Sequence, residues 1–500
     1  MGSDDVEQGD NFIPDTPSPN IENIVALSFK KEENMKPLVI AFALVCAAGA
    51  AQAQSFSADD LASRAIERRA VEAVNWGMSA VNFDLMYQSM VKTAGKYNQV
   101  VYWSRLPDWK IQTLTPNLDT MYLSPFISTK DVGPVVIEIP PAEGGSITGT
   151  IMDAWQAPLE DVGPAGVDQG RGGKYLILPP HYSEAVPDGY IVLPSSTYQG
   201  YALLRSNLAS ASDAAVADAV AYGKRVRVYP LSQAGNPPAT VFVDAIDVVY
   251  DSTIPYDVRF FQSLDRFVQY EPWLPRDIAM IDVLKSVGIE KGKPFNPDAN
   301  AQAALNTGAK EAQAWLEARY EAGFPPYYAG GHWAVPAVPE VVATMANFWQ
   351  KLNGYAVDGR ALLYSYAYAS IKHQGAGQFY LIAIRDKQGQ FLDGGNTYRI
   401  NVPANAPVRL YWSATVYDRA THALIRDRKT VSRSSLTPGL KKNADGSADV
   451  YLAPRAPAGQ ESNWVPTNVG GKFEVLFRLY GPEKPLFDKS WKLPDIEEVK

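Results

Sequence analysis

The strongest constraint on this chain is a change of hydrophobic period near Val100. Before it, "SADDLASRAIERRAVEAVNWGMSAVNFDLMYQSMVKTAG" sets Leu61, Ala65, Ile66, Val71 and Val74 near one helical stripe. Ser57 is placed to cap that helix, with Asp60 three residues on. After it, "PVVIEIPP", "SITGTIMDAW", "GKYLILPP", "GYIVLPSSTYQGYALLRS" and "TVFVDAIDVVY" are short β-branched or aromatic runs split by Gly and Pro. Pro lacks the N–H donor that a helix interior or central strand needs, so such runs read as many short strands of a sandwich or barrel. One helix, about 209–223, interrupts them. Residues 255–373 return to helical spacing, as in "VRFFQSLDRFVQY" and "AQAALNTGAKEAQAWLEARYEAG". From Gly377 strands resume, with Asp393-Gly394 and Asp445-Gly446 as turn signals.

The order helix, β, helices, β predicts a mainly β, α+β fold. It has two β-sandwich, jelly-roll-like domains, an N-terminal helix, and a helical segment between the sandwiches. The expected boundaries are 54–250 for the N-terminal helix plus first β domain, 251–373 for the helical segment and 374–500 for the second β domain.

The first 53 residues read differently. Residues 1–34 are acidic and aperiodic, and fit a mis-called start or vector sequence. "MKPLVIAFALVCAAGAAQAQ", from Met35, has a lysine, an apolar run from Leu38 to Ala50 and a small-x-small end at Ala51-Gln52-Ala53. That is the layout of a secretory signal peptide over 35–53, with the mature chain starting at Gln54 in the periplasm or outside the cell. The apolar run is too short for a stable membrane span, and no transmembrane span is expected in the mature chain. Lipidation at Cys46 is the other reading, but Ala43-Leu44-Val45 matches it poorly.

The chain carries a formal charge of −8. Residues 1–53 hold eight acids and three bases, so residues 54–500 sit near −3. That balance argues against nucleic acid as a partner. The lone cysteine, Cys46, falls inside the signal, so the mature chain has no thiol, disulfide or Cys-bound metal. There is no Gly-x-Ser-x-Gly, Walker A loop, dinucleotide fingerprint or EF-hand loop. His181, His332, His373 and His422 are scattered, without metal-ligand spacing. No metal site and no cofactor are expected.

"TPNLDTMY", Thr115 to Tyr122, crowds a proline, an amide, a carboxylate and a phenol between two strand-like runs. Together with "GPVVIEIP", "IMDAWQ", "GKYLILPP" and "SSTYQGYALLRS", it is similar to the first domain of bacterial exported proteins carrying the DUF1254 and DUF1214 domains of unknown function. "LDGGNTYRINVP", "LYWSATVYD", "NADGSADVYL", "ESNWVPTNVGGKFEVLFRLYGP" and "WKLPDI" resemble the second. The resemblance spans about 60–500 and implies two β-sandwiches with a helical part and no established activity. Leu118 departs from it, since the family motif has Asn there, and "DKQGQFLDG" replaces an Asp-x-Asp-Gly pattern.

Candidate residues follow from strand alternation, each with a plainer reading beside it. Asn117 and Asp119 share a face if extended, either lining a pocket with Tyr122 or forming an Asx turn in which Asp119 bonds local N–H groups. Asp153 and Trp155 share another, either on a ligand surface or on a solvated sheet face. Arg205 is placed to pair with Asp119 or Asp153. His181 lies in a loop, solvated or assisting. In "LYWSATVYD", Tyr411, Ser413, Thr415 and Tyr417 take one face, and Leu410, Trp412, Ala414 and Val416 the core face. Asn463 reads best as a loop-anchoring amide. "YYAGGHWAVP" around His332 reads as a mobile aromatic lid.

Two functions fit. The first is an exported enzyme of hydrolase or lyase type acting on a small organic molecule or saccharide. Asp119, Asp153 and His181 would do acid/base work, and Asn117, Tyr122, Trp155, Arg205 and Tyr417 would hold substrate. The second is a non-catalytic glycan- or small-molecule-binding envelope protein. The expectation for the acid pair is that both carboxylates meet in one cavity. The sequence leaves the oligomeric state open.

Overall fold

The computed structural model describes residues 56–210, 212–345, 354–368, 372–373 and 377–499. The leader 1–34 and the signal-like stretch 35–53 lie outside the described residues.

The helices are α1 (Ala58–Lys92), α2 (Asp213–Gly223), α3 (Val258–Tyr270), α4 (Met280–Ser286), α5 (Ala299–Ala322), α6 (Pro339–Met345), α7 (Val357–Tyr366) and α8 (Lys484–Phe487). The N-terminal helical pattern is therefore one helix of 35 residues. Its first turns are exposed, and from Ala70 onward it is walled in by α3, α4, α5 and α7. Its crossing with α5 runs over Gly308, where a Cβ would come within 2.6 Å of the Ala70 Cβ. Any larger residue there would push the two helices apart. Helix α2 starts later than its composition suggests, because the Ser212 hydroxyl accepts the Ala215 N–H and fixes the first turn.

The first β domain uses β1 (Gln99–Tyr102), β2 (Ile111–Gln112), β3 (Met121–Ser128), β4 (Val135–Ile139), β5 (Ile147–Asp153), β6 (Pro158–Val162), β7 (Gly173–Leu178), β8 (Ile191–Pro194), β9 (Gln199–Ser206), β10 (Arg227–Pro230), β11 (Phe242–Asp244) and β12 (Tyr250–Asp251). A six-stranded sheet, β11-β1-β3-β9-β5-β6, faces a four-stranded one, β10-β4-β7-β8. Leu123, Ile127, Ile151, Ala202 and Leu204 from the first meet Val135, Ile137, Tyr175 and Ile177 from the second in one core. The opposite face of the six-stranded sheet, with Phe126, Met152 and Tyr201, packs on α1 and the central helices. Both faces are covered, which is why β3 is buried at every position.

The second β domain contains β13 (Gln378–Ala383), β14 (Tyr398–Val402), β15 (Val408–Asp418), β16 (Ser432–Ser434), β17 (Ala448–Ala453), β18 (Trp464–Pro466), β19 (Phe473–Pro482) and β20 (Glu497–Glu498). Sheets β13-β19-β15-β16 and β18-β17-β14-β20 enclose Trp412, Ala414, Val416, Val475, Phe477 and Leu479 with Ile400, Val450 and Leu452. The fold is thus α+β and mainly β, with two sandwiches and a helical body.

Two local expectations are corrected. Leu410 is 56% exposed and not in the core. The register of β15 on β19 shifts between Val408 and Tyr411, and that bulge breaks the alternation assumed for Leu410. The "YYAGGHWAVP" segment is anchored and does not form a lid. Trp333 is fully buried and donates its indole N–H to Pro494 O at 2.8 Å, and the His332 N–H bonds Asp495. Asn463 does anchor its loop, through both groups of Lys441 and the carbonyl of Asp449.

Candidate functional site

Strand alternation on β13, β15 and β19 presents a polar face opposite the second core. Cross-strand partners are Tyr411 with Tyr480, Ser413 with Arg478, Tyr417 with Glu474, and Tyr380 with Arg478. These side chains are buried or half-buried because the first β domain and the helices cover them. "TPNLDTMY" is the element that does the covering.

Every polar group of Thr115 is engaged from across the molecule. Its N–H donates to His422 O at 2.7 Å, its hydroxyl to Tyr366 O at 3.1 Å, and its carbonyl accepts Arg478 Nη2 at 2.7 Å. Thr115 sits at φ 42°, a left-handed conformation costly for a β-branched residue. Three independent hydrogen bonds are what hold it there. The Tyr417 hydroxyl donates to Pro116 O at 2.5 Å. The Asn117 amide donates to Tyr411 at 3.1 Å and to Tyr480 at 2.7 Å, while the Tyr122 hydroxyl accepts the Asn117 N–H. An Asx turn does form, but through Asn117, whose side-chain oxygen accepts the Asp119 N–H at 3.0 Å. Asp119 instead accepts the Ser432 hydroxyl at 2.9 Å. Burial raises its pKa, opposed by Ser432 and Ser434 and by the charges of Arg478 and Arg433. The motif is a latch between the two sandwiches.

Behind the latch lies a chamber of about 80 Å³. Tyr122, Arg205, Tyr366, Tyr368, Tyr380 and Arg478 are among its walls. Beyond it lies a cleft of about 360 Å³, which shares Leu203, Arg205, Tyr368 and Tyr380 with the chamber. Those four residues lie where the two spaces adjoin. Arg205 is half-buried, and its Nε is shut off from water with no hydrogen-bond partner among the described residues. Its guanidinium lies 5.4 Å from the Tyr122 ring centre. Arg478 is 2% exposed and donates to the neutral oxygens of Thr115 and Thr415, with the Tyr417 phenol also against it. The groups that bear most on both guanidiniums are the phenols of Tyr122, Tyr380 and Tyr480. Arg205 does not pair with Asp119 or Asp153. A buried and a half-buried positive charge, with no carboxylate bonded to either among the described residues, are costly unless an anion joins them.

The structure therefore gathers Asn117, Asp119, Tyr122, Arg205 and Tyr417 at one interface. It does not bring Asp153, Trp155 or His181 there. Asp153 pairs with Gly200 at one end of β9, and Met121 with Ser206 at the other. Six residues of strand separate those ends by about 20 Å, so Asp119 and Asp153 do not meet in one cavity. Strand β5 ends at Asp153, and the chain turns through Gln156 at φ 62°, so Trp155 no longer shares its face. Asp153 accepts the Ala157 N–H and the Ser196 hydroxyl, each at 2.9 Å, and burial raises its pKa. Trp155 packs edge-on against Trp76 at 4.9 Å and Phe267 at 4.8 Å in the helical core. His181 lies exposed in a turn at φ 60°.

Arg478, Tyr380, Tyr480 and Tyr368 were missed. The signal was present in "KFEVLFRLYG", where Glu474 and Arg478 alternate with the apolar Phe473, Val475, Phe477 and Leu479. Two charges four residues apart, both out of phase with the apolar set of a core strand, point to a second buried face. Among the described residues, no three His, Cys, Asp or Glu side chains are placed to hold a metal ion.

Fold and site together define a protein of two β-sandwiches latched through a shared, arginine-lined chamber. Residues 97–230 match the family model described as protein of unknown function (DUF1254), and residues 377–484 match protein of unknown function (DUF1214). No curated protein is detectably similar to the chain. Among solved structures, the VPA0106 protein from Vibrio parahaemolyticus is 18% identical, with a TM-score of 0.49. That match covers 87% of this chain and 100% of that one. An uncharacterized protein from Burkholderia cenocepacia is 11% identical, with a TM-score of 0.37, over 88% of this chain and 95% of that one.

Proposed function

We propose that the protein binds a small organic anion, a carboxylic acid, in the chamber between its two sandwiches. One observation carries this reading. Arg205 and Arg478 line one chamber, and among the described residues no carboxylate is bonded to either and the buried Arg205 Nε has no hydrogen-bond partner. A guanidinium matches a carboxylate through paired N–H donors, and a low-dielectric pocket strengthens that bond. The Tyr122 hydroxyl, which accepts the Asn117 N–H, keeps a proton to donate without adding negative charge. Binding is favoured over hydrolysis or lysis by an Asp119–Asp153 pair, because the chamber does not contain both carboxylates. Assaying any acid that binds for consumption by the same preparation separates an enzyme from a binding protein.

Calorimetric titration with acetate, pyruvate and benzoate tests the reading. At least one should bind, and Arg205→Gln should weaken it roughly 10- to 150-fold, the range for losing a charged hydrogen bond of about 1.5–3 kcal/mol. Arg205 bonds no backbone group, so the variant should keep its fold. No heat from any of the three acids, or an unchanged affinity in Arg205→Gln, would overturn the proposal.

Export is proposed on the tripartite stretch from Met35 to Ala53. Among the described residues no helix is long and apolar enough to cross a membrane. Mass spectrometry of the periplasmic fraction should find the N-terminus at Gln54. A protein that keeps Met1 and stays in the cytosol contradicts it.

A further inference from the structure

The inner chamber is too small for a whole ligand. An apolar cavity of about 150 Å³ takes one benzene, so about 80 Å³ takes only a carboxylate and its nearest carbons. The rest of the molecule would lie in the adjoining cleft of about 360 Å³, which shares Arg205 and Tyr380 with the chamber. The character of that cleft then says what the rest is.

Its walls mix apolar Val162, Pro164, Ala165, Leu203 and Leu410 with a set of hydroxyl- and amide-bearing side chains. On the first sandwich, Thr148 donates to the Asn207 side-chain oxygen at 3.1 Å, and the Asn207 amide donates to Ser146 at 2.8 Å. That row fixes three side chains and leaves the Ser146 hydroxyl proton and the Thr148 lone pairs unused. On the second sandwich, Gln378 and Arg409 line the same cleft and have no side-chain hydrogen bond or ion pair among the described residues. Tyr480 adds a ring held in place by stacking on Tyr411 at 4.4 Å. A purely apolar tail would strip water from these groups and return nothing. A chain or ring bearing several hydroxyls would replace that water bond for bond.

Resting on the anion reading above, we propose that chamber and cleft form one site for a hydroxylated carboxylic acid of the sugar-acid class. The carboxylate sits between Arg205 and Arg478, and the hydroxyl-bearing carbons lie against Thr148, Asn207, Gln378 and Arg409.

The test titrates D-glucuronate, D-glucose and acetate into the full mature chain. D-Glucuronate should bind roughly 10- to 100-fold more tightly than acetate, through two or more added neutral hydrogen bonds. D-Glucose should bind far more weakly than either. Gln378→Ala should weaken D-glucuronate roughly fivefold while changing acetate much less, because acetate does not reach the cleft. If acetate matches D-glucuronate and Gln378→Ala affects neither, the sugar-acid inference fails while the anion site stands. If D-glucose matches D-glucuronate, or no acid binds, both readings fail.

Discussion

Glu474→Leu should lower stability by about 3–5 kcal/mol, the usual cost of removing one partner of a buried ion pair. Glu474 is completely buried on β19. Its carboxylate lies 3.0 Å from His422 Nδ1 and accepts the Tyr320 hydroxyl at 2.6 Å. The far side of the imidazole faces Glu317 at 3.6 Å, and Arg419 bonds Glu317 at 2.7 Å. Burial works against a charge on His422, but Glu474 and Glu317 outweigh it, and its pKa is raised. Without Glu474, a cationic imidazole would keep only Glu317, at 3.6 Å, which already bonds the 5% exposed Arg419 at 2.7 Å. The damage would also travel, because the His422 carbonyl accepts the Thr115 N–H and so holds one end of the latch. A raised histidine pKa stabilises the fold fully below the unfolded value of 6.5 and progressively less as pH rises through the folded value. Urea titrations should therefore find the Glu474→Leu deficit larger at pH 6 than at high pH. A loss below about 1 kcal/mol, the scale of one neutral hydrogen bond, would mean the cluster is not an ion pair.

Glu271 should make stability fall as pH rises from about 5 to 8. Its carboxyl is 3% exposed, and burial pushes its pKa up to about 8, with nearby Asp153 adding to the rise against two backbone donors. Those donors are the N–H groups of Tyr198 at 2.6 Å and Gln199 at 2.8 Å. The unfolded carboxyl releases its proton near 4.5, while the folded one keeps it until about 8. Across that window the native state binds the extra proton, so each pH unit removes up to about 1.4 kcal/mol, on the order of 5 kcal/mol in all. Glu271→Gln has no proton to lose. It should be less stable than the parent at pH 5, where one N–H meets its amide, and should show a much flatter profile up to pH 8. Parallel profiles for the two proteins would show that Glu271 titrates normally.

Both predictions concern groups whose partners the sequence does not show. What the sequence determined by itself is local. The switch of period at Val100, the Gly and Pro breaks and the return of helical spacing after 255 fixed the element types, because propensity and turn chemistry act over a few residues. The same logic placed Trp412, Ala414 and Val416 in a core and Tyr411, Ser413, Thr415 and Tyr417 on the face behind it. It failed at Leu410, where a bulge resets the alternation, and at Trp155, where the strand had already ended.

The site was decided by the tertiary structure. Asn117 and Tyr480 touch across 363 residues of chain, and no period or spacing encodes that contact. Asp119 and Asp153 looked like a pair because each lay in a polar break of a strand run, yet antiparallel pairing sends them to opposite ends of β9. Arg205 and Arg478 looked unrelated and became neighbours because two sandwiches, each buried on its own inner face, also bury the outer faces they turn toward each other. Which side chains share that second interface depends on how the sheets dock, and docking is set by the sum of many long-range contacts.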